Sequence, residues 1–303
     1  MTGSTTAQRH GIFAGFIFLS GLIFWKTWAG VIAYSLQNES ASHILLIPVV
    51  AFYLLFAARK RIFSESDLAI GPGLIVILAA VVLFWLATHL SDAGNDRLAL
   101  ETLALVCLWI GGFISSYGLK ASRAAIFPLL FLLLMVPWPS AVLDPVIRWL
   151  QAGSTDVTYA IFRMLGVPVL RAGFVLTVPG VAIEVASECS GIRSSMALLI
   201  TCLLAAHFCL RTKWKMILFV LLVIPLSIIK NGIRIATLTL LSLYVNPDFL
   251  RGNLHRDGGF VFFFLALAML FPVLRLLEKT EKRVPSLTGE HGQTSSNQLA
   301  DSV

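Results

Sequence analysis

Three side-chain types decide what chemistry this sequence can support: a thiol, a guanidinium and an imidazole. Cys189 stands in Glu188-Cys189-Ser190-Gly191-Ile192-Arg193, where a polar stretch opens onto an apolar run. A thiol at or just before a helix N-terminus meets the positive end of the helix dipole, which favours the nucleophilic thiolate. Arg193, four residues on, shares that helix face and adds positive potential, whereas the carboxylate of Glu188 opposes a second negative charge beside it. Taken alone, a small cysteine beside a helix cap is more often inert packing. The guanidinium is Arg234, in Lys230-Asn231-Gly232-Ile233-Arg234, a polar break in the apolar run 216–245. Counted from Met216 it lies about 27 Å along a helix, near the outer edge of a hydrocarbon core about 30 Å thick. An arginine at that depth either snorkels to the headgroups or serves a site, and function is the default reading. His255, in the following polar loop 246–259, supplies an imidazole that can act as general acid or base. Singly it reads as loop surface. Together the three sit at one leaflet boundary, as acyl transfer through a thioester requires; Ser190, Gly191, Arg193 and Asn231 form the supporting set.

The elements that must position them are transmembrane. The chain has 303 residues, 57% hydrophobic and 13% charged, with a mean hydropathy of +0.86, whereas a soluble domain carries about 25% charged residues. Runs long enough to span lipid, allowing for tilt, fall at 11–33, 43–58, 70–90, 98–118, 124–138, 191–210, 216–234 and 259–277. This predicts an all-α integral membrane protein of about eight transmembrane helices, one catalytic domain over 1–283. Basic clusters follow the even-numbered spans at Arg59-Lys60-Arg61, Lys120 and Arg123, Arg211-Lys213-Lys215, and Lys279-Lys282-Arg283, and Arg9 precedes the first. By the positive-inside rule both termini face the cytoplasm, in a multi-pass protein of the cytoplasmic (inner) membrane. Cys189, Arg234 and His255 then share the extracytoplasmic face.

The one sizeable extramembrane insertion, 139–190, reads as a surface amphipathic helix over 143–166 followed by a β-hairpin. Its strands are 171–178 and 181–186, turned at Pro179-Gly180. Residues 284–303 are polar and aperiodic and read as a disordered cytoplasmic tail. The first span resembles a cleaved signal peptide, but Lys26 between Trp25 and Trp28 reads as a retained interfacial anchor.

The net charge of +7 is spent on membrane topology, so nucleic acid is not an expected partner. Cys107, Cys202 and Cys209 lie in apolar runs, and no Cys/His spacing suits a metal or a disulfide framework. No cofactor is expected.

At the reactive residues the chain resembles the exosortase/archaeosortase family of integral-membrane cysteine transpeptidases. In that family the catalytic set is a Cys in a C-S-G-[IL]-R-like motif, an Arg in N-x-x-R and a His in the last outer loop. Here Cys189 in ECSGIRS, Arg234 in NGIR and His255 in NLHRDGG match. Ser42-His43 in ASHILLIPVVAFYLL and Val136-Pro137-Trp138-Pro139 match two further motifs. The resemblance runs from about residue 42 to 277, in the family's order. It implies a hydrolase or transpeptidase acting on PEP-CTERM-like sorting signals: a short Pro-containing motif, one transmembrane helix and a basic cluster at the C-terminus of exported proteins. The implied partners are those proteins, membrane lipid and an acceptor nucleophile, often in organisms that make exopolysaccharide. Cys189 would attack the scissile carbonyl, Arg234 would stabilise oxyanion or thiolate, and His255 would protonate the leaving amine.

Two rival readings stay open on the residues alone. The break at 230–234 and the prolines of the late spans suit a transporter with discontinuous helices, although no related halves are evident. A scaffold subunit of a polysaccharide export complex would leave Cys189 inert, and a thiol reagent applied from outside separates that case.

Overall fold

The computed structural model describes residues 2–64, 67–90, 95–186, 191–246 and 259–282. These are helical apart from one small sheet, because a chain immersed in hydrocarbon must satisfy its backbone groups within each segment. The chain divides into two compact units, Met1–Ala152 with Val185–Met196, and Gly153–Glu184 with Ala197–Val303.

The first unit opens with α1 (Thr2–Ile23) and α2 (Trp25–Gln37). Two 3-10 turns (Glu39–Ala41 and Ile44–Leu46) lead to α3 (Ile47–Ala57), the single basic turn α4 (Arg59–Ile62), α5 (Ile70–Thr88), α6 (Asp96–Ala124) and α7 (Ile126–Phe131). Helices α1, α2, α4, α5 and α7 all touch α6. At one end of α6, Phe113 and Tyr117 stack with Phe13 and Phe63, and Nδ1 of His10 lies 2.7 Å from the Tyr117 hydroxyl. At the other end the ties are polar. Thr27 donates to the Glu101 carboxylate at 2.8 Å, Arg97 pairs with the same carboxylate at 2.9 Å, and Asn95 donates to the Tyr34 hydroxyl at 2.6 Å. The Asp96 carboxylate accepts the Ser140 N–H at 2.8 Å, fixing the first turn of α8 (Ser140–Met164).

The second unit holds the rest of α8, the sheet, most of α9 (Ile192–Cys209), α10 (Lys213–Leu221), α11 (Val223–Tyr244) and α12 (Gly259–Lys282). Leu198, Cys202, Ala206, Phe219, Leu226, Ala266 and Leu270 form its core. Glu281 near the end of α12 accepts the backbone N–H groups of Arg211 and Thr212 at 3.0 and 2.9 Å, capping α10, and Lys215 donates to Thr280 at 3.0 Å.

Among the described residues five helices are long and apolar enough to cross a membrane: Ile70–Thr88, Asp96–Ala124, Ile192–Cys209, Lys213–Tyr244 and Phe260–Glu281. The total is seven if each of two bent pairs forms one span, where eight runs were expected. The run expected at 11–33 is bent by 74° between Ile23 and Trp25. The run at 43–58 yields only the short apolar helix Ile44–Ala57, roughly 21 Å long. The run at 124–138 breaks into α7 and a 3-10 turn (Leu132–Met135), bent by 86° from α8. Pro48 and Pro128 stand at these short helices, where a missing N–H suits a first turn and shortens what precedes it. The exposed apolar flanks of α5 and α12, such as Ile75 at 70% and Phe264 at 65%, need lipid rather than water.

Within 139–190 the amphipathic run forms one helix, α8, as its periodicity predicts. The hairpin differs: the described residues form three antiparallel strands, β1 (Leu170–Ala172), β2 (Val175–Val178) and β3 (Val181–Glu184), in the order β1-β2-β3. Gly173 (φ +63°) turns the chain inside the run expected as a single strand. The turn at Pro179-Gly180 joins β2 to β3 with Val178 opposite Val181. The sheet packs Leu176 and Val178 with Phe162 and Ala236. The tail 284–303 lies outside the described residues.

Candidate active site

Glu188, Cys189, Ser190 and His255 lie outside the described residues, so the frame around them carries the structural argument. Gly191 is described: it is buried, with φ +76°. L-residues pay about 1–2 kcal/mol in that region, which is why glycine stands there. Its carbonyl accepts the Ser195 N–H at 2.9 Å and the Ser194 and Ser195 hydroxyls at 3.0 and 2.8 Å. Helix α9 therefore starts at Ile192, immediately after the ECSG stretch, and Arg193 is exposed on its first turn.

In the second unit the NGIR motif lies within α11, which runs helically through Lys230 to Arg234, where a break was expected; α10 passes into α11 at Leu222 with helical backbone angles. The polar residues are accommodated by α8. Asn231 Nδ2 donates to the Ser154 hydroxyl at 3.0 Å, and the Thr158 hydroxyl donates to the Ser154 carbonyl at 2.7 Å and the Gly232 carbonyl at 3.2 Å. Ser154, Thr155, Thr158, Lys230 and Asn231 are all at most 1% exposed. The face of α8 that its pattern assigns to water is thus buried, as a polar patch between two helices. Gly232 makes the approach possible, since a Cβ there would meet Val157 Cγ1 at 2.5 Å. Arg234 follows two residues on, half-buried, and one turn from Lys230, close enough for the two cations to repel.

Two other motifs from the sequence are brought together in the first unit. His43 and the Val136-Pro137-Trp138 segment line one cavity with Ile192 and Met196 of α9. The His43 imidazole hydrogen-bonds the backbone at Ser40 and Leu134. Among the described residues no group of His, Cys, Asp or Glu could hold a metal ion.

Sequence reasoning missed the burial of Lys230 and the hydroxyl patch of α8. The available signal was Ser154 and Thr158 at i, i+4, a spacing that places both on one face.

The match that decides the family covers residues 25–272, against the model described as transmembrane exosortase (Exosortase_EpsH). The chain belongs to the transmembrane exosortase family. No curated protein and no solved structure matches it. The exosortase match takes in the ECSGIRS, NGIR and NLHRDGG stretches as well as the Ser-His and Val-Pro-Trp-Pro motifs.

Proposed function

We propose that this exosortase is a cysteine transpeptidase of the cytoplasmic membrane that removes C-terminal sorting signals from exported proteins. The observation that carries the reading is the extent of the family match, which takes in Cys189, Arg234 and His255 in one ordered set. The close-packed contact of α8 with α11 supports it, because a guanidinium that stabilises an oxyanion must be preorganised.

The Cys189 thiolate adds to the scissile carbonyl, and Arg234 balances the negative charge that develops on its oxygen. Collapse of the tetrahedral adduct breaks the C–N bond; His255 gives its proton to the departing amine, which leaves with the transmembrane helix and basic tail. The thioester then accepts an acceptor nucleophile, whose proton returns to His255, and the thiolate is released. The active site faces the extracytoplasmic side, with both termini in the cytoplasm.

The test is a comparison of C-termini across membrane and secreted proteins in the native host, wild type against Cys189→Ser. A set of exported proteins that keeps its apolar helix and basic tail only in the mutant supports the reading. Identical C-termini, with the mutant inserted at wild-type abundance, overturn it.

A further inference from the structure

The Ser-His and Val-Pro-Trp-Pro motifs have no part in the covalent steps, yet His43 of the first and Val136, Pro137 and Trp138 of the second line one cavity in the first unit. That cavity measures about 20 Å³ and is lined by Tyr34, His43, Pro137, Trp138, Leu143 and Ile192, among others. A volume of this size holds about one water or one methyl group. It is a side-chain subsite, not a pocket for a whole ligand.

Its walls are held from behind. Asn95 anchors the Tyr34 hydroxyl at 2.6 Å, Ser35 donates to the Ala41 carbonyl at 2.9 Å, and Asp96 fixes Ser140 just after Pro139. The His43 ring is tied to the backbone at Ser40 and Leu134. Such support is what a specificity pocket needs, since an adaptable wall would close on an empty site.

The position of Ile192 says what enters. It stands three residues after Cys189 in the chain, so the two Cα atoms are at most about 11 Å apart. An extended peptide advances about 3.3 Å per residue. A peptide whose scissile carbonyl lies at Cys189 therefore reaches the cavity with a residue within about three positions of that bond. The lining is mainly aliphatic and aromatic, with Ser40, the Tyr34 side chain and the His43 imidazole as its polar members and no charged group among the lining residues. A charged side chain would lose its hydration there without recompense, and a phenyl ring exceeds the space.

We infer that this cavity is a specificity subsite for a small aliphatic side chain of the substrate peptide, about the size of alanine's methyl group, close to the scissile bond. The inference rests on the transpeptidase reading above. His43 acts in it as a positioning residue, fixing the wall through Ser40 and Leu134.

The test uses full-length protein in native membranes and an exported reporter ending in an apolar helix and basic tail. Its cleavage region is taken from an exported host protein whose sequence ends in a Pro-containing segment, an apolar helix and a basic tail, with each flanking position varied through Gly, Ala, Val, Leu and Phe. At one position the wild type processes Ala at least about tenfold better than Phe, since a methylene in a filled pocket discriminates by roughly 10–200-fold. Leu143→Ala raises the Phe-to-Ala ratio at that position only, and Ile192→Phe shifts preference to Gly. Variants that scale all reporters equally, at wild-type abundance, overturn the subsite.

A second readout separates the two readings. In the Cys189→Ala, Leu143→Cys protein, a mild oxidant forms a disulfide crosslink to the intact reporter that carries cysteine at the selective position. If the wild type cleaves nothing but the crosslink forms, the catalytic reading fails and the binding subsite stands. If cleavage occurs and no crosslink forms, the subsite fails alone.

Discussion

Gly232→Ala should disable this exosortase while barely loosening its fold. An added Cβ would lie 2.5 Å from Val157 Cγ1 and 2.6 Å from Val157 Cβ, whereas two carbons rest at about 3.5–4.0 Å. Helices α8 and α11 must therefore part locally by about 1 Å. Overpacking of this kind costs about 1–3 kcal/mol, and replacing glycine by alanine inside a helix returns about 0.8–1.0 kcal/mol. The net loss is about 0–2 kcal/mol, small for a folded protein. Function is affected more: Arg234 is two residues away, and a 1 Å misplacement costs about 100-fold in rate. The assay pairs processing of an exported reporter in membranes with thermal unfolding in detergent. Processing should fall by about two orders of magnitude while the unfolding temperature moves by only a few degrees. A second change discriminates further. Val157→Ala leaves the Cβ at 2.6 Å and gives no rescue, whereas Val157→Gly removes both offending atoms and restores much of the rate. Wild-type processing by Gly232→Ala, or equal rescue by Ala and Gly at 157, would refute the close-approach argument.

Three other substitutions probe the same frame. Gly191→Ala forces an alanine to φ +76° and should cost about 1–2 kcal/mol, with Gly191→Asn milder because Asn tolerates the left-handed region; unfolding temperatures of the three proteins check the order. Asn231→Ala removes the donor to the Ser154 hydroxyl at 3.0 Å and, with both groups buried, should destabilise by about 1–3 kcal/mol; equal stability to wild type counts against the buried patch. Arg234→Lys should keep abundance but lose most processing, because a point charge does not replace a planar fork at an oxyanion; a lysine protein that turns over normally counts against the role given to Arg234.

The long runs were legible because length and apolarity suffice to specify α5, α6, α9 and α12, and the family motifs were legible as an ordered set. The short runs misled for a physical reason. Hydropathy cannot tell a bent or broken helix from a spanning one, and Pro48, Pro128 and the bend between Ile23 and Trp25 act through the backbone, which hydropathy does not weigh. The polar face of α8 misled in the opposite sense. Ser154 and Thr158 at helical spacing signal a polar face, but the same pattern serves water or a hydrogen-bonded partner helix. Only the presence of Asn231 and Gly232 on α11 decides for the partner. In the same way, nothing in the local sequence links His43 to Trp138, some ninety-five residues apart, yet both line one cavity.

The two motif glycines act through different physics, and that difference bears on how the site is built. Gly191 is required by its own backbone, because its φ of +76° admits few side chains whatever surrounds it. Gly232 has ordinary helical geometry and is required by a neighbour, Val157. The first constraint is local, so second-site changes cannot relieve it. The second is tertiary, so it can be moved to the other helix. The first turn of α9 is thus fixed by the Gly191 carbonyl, which holds Ser194 and Ser195, and the α11 segment that carries Arg234 is fixed by how closely α8 lies against it. An oxyanion partner must hold its distance as charge develops, and a packed helix pair resists displacement better than a loop.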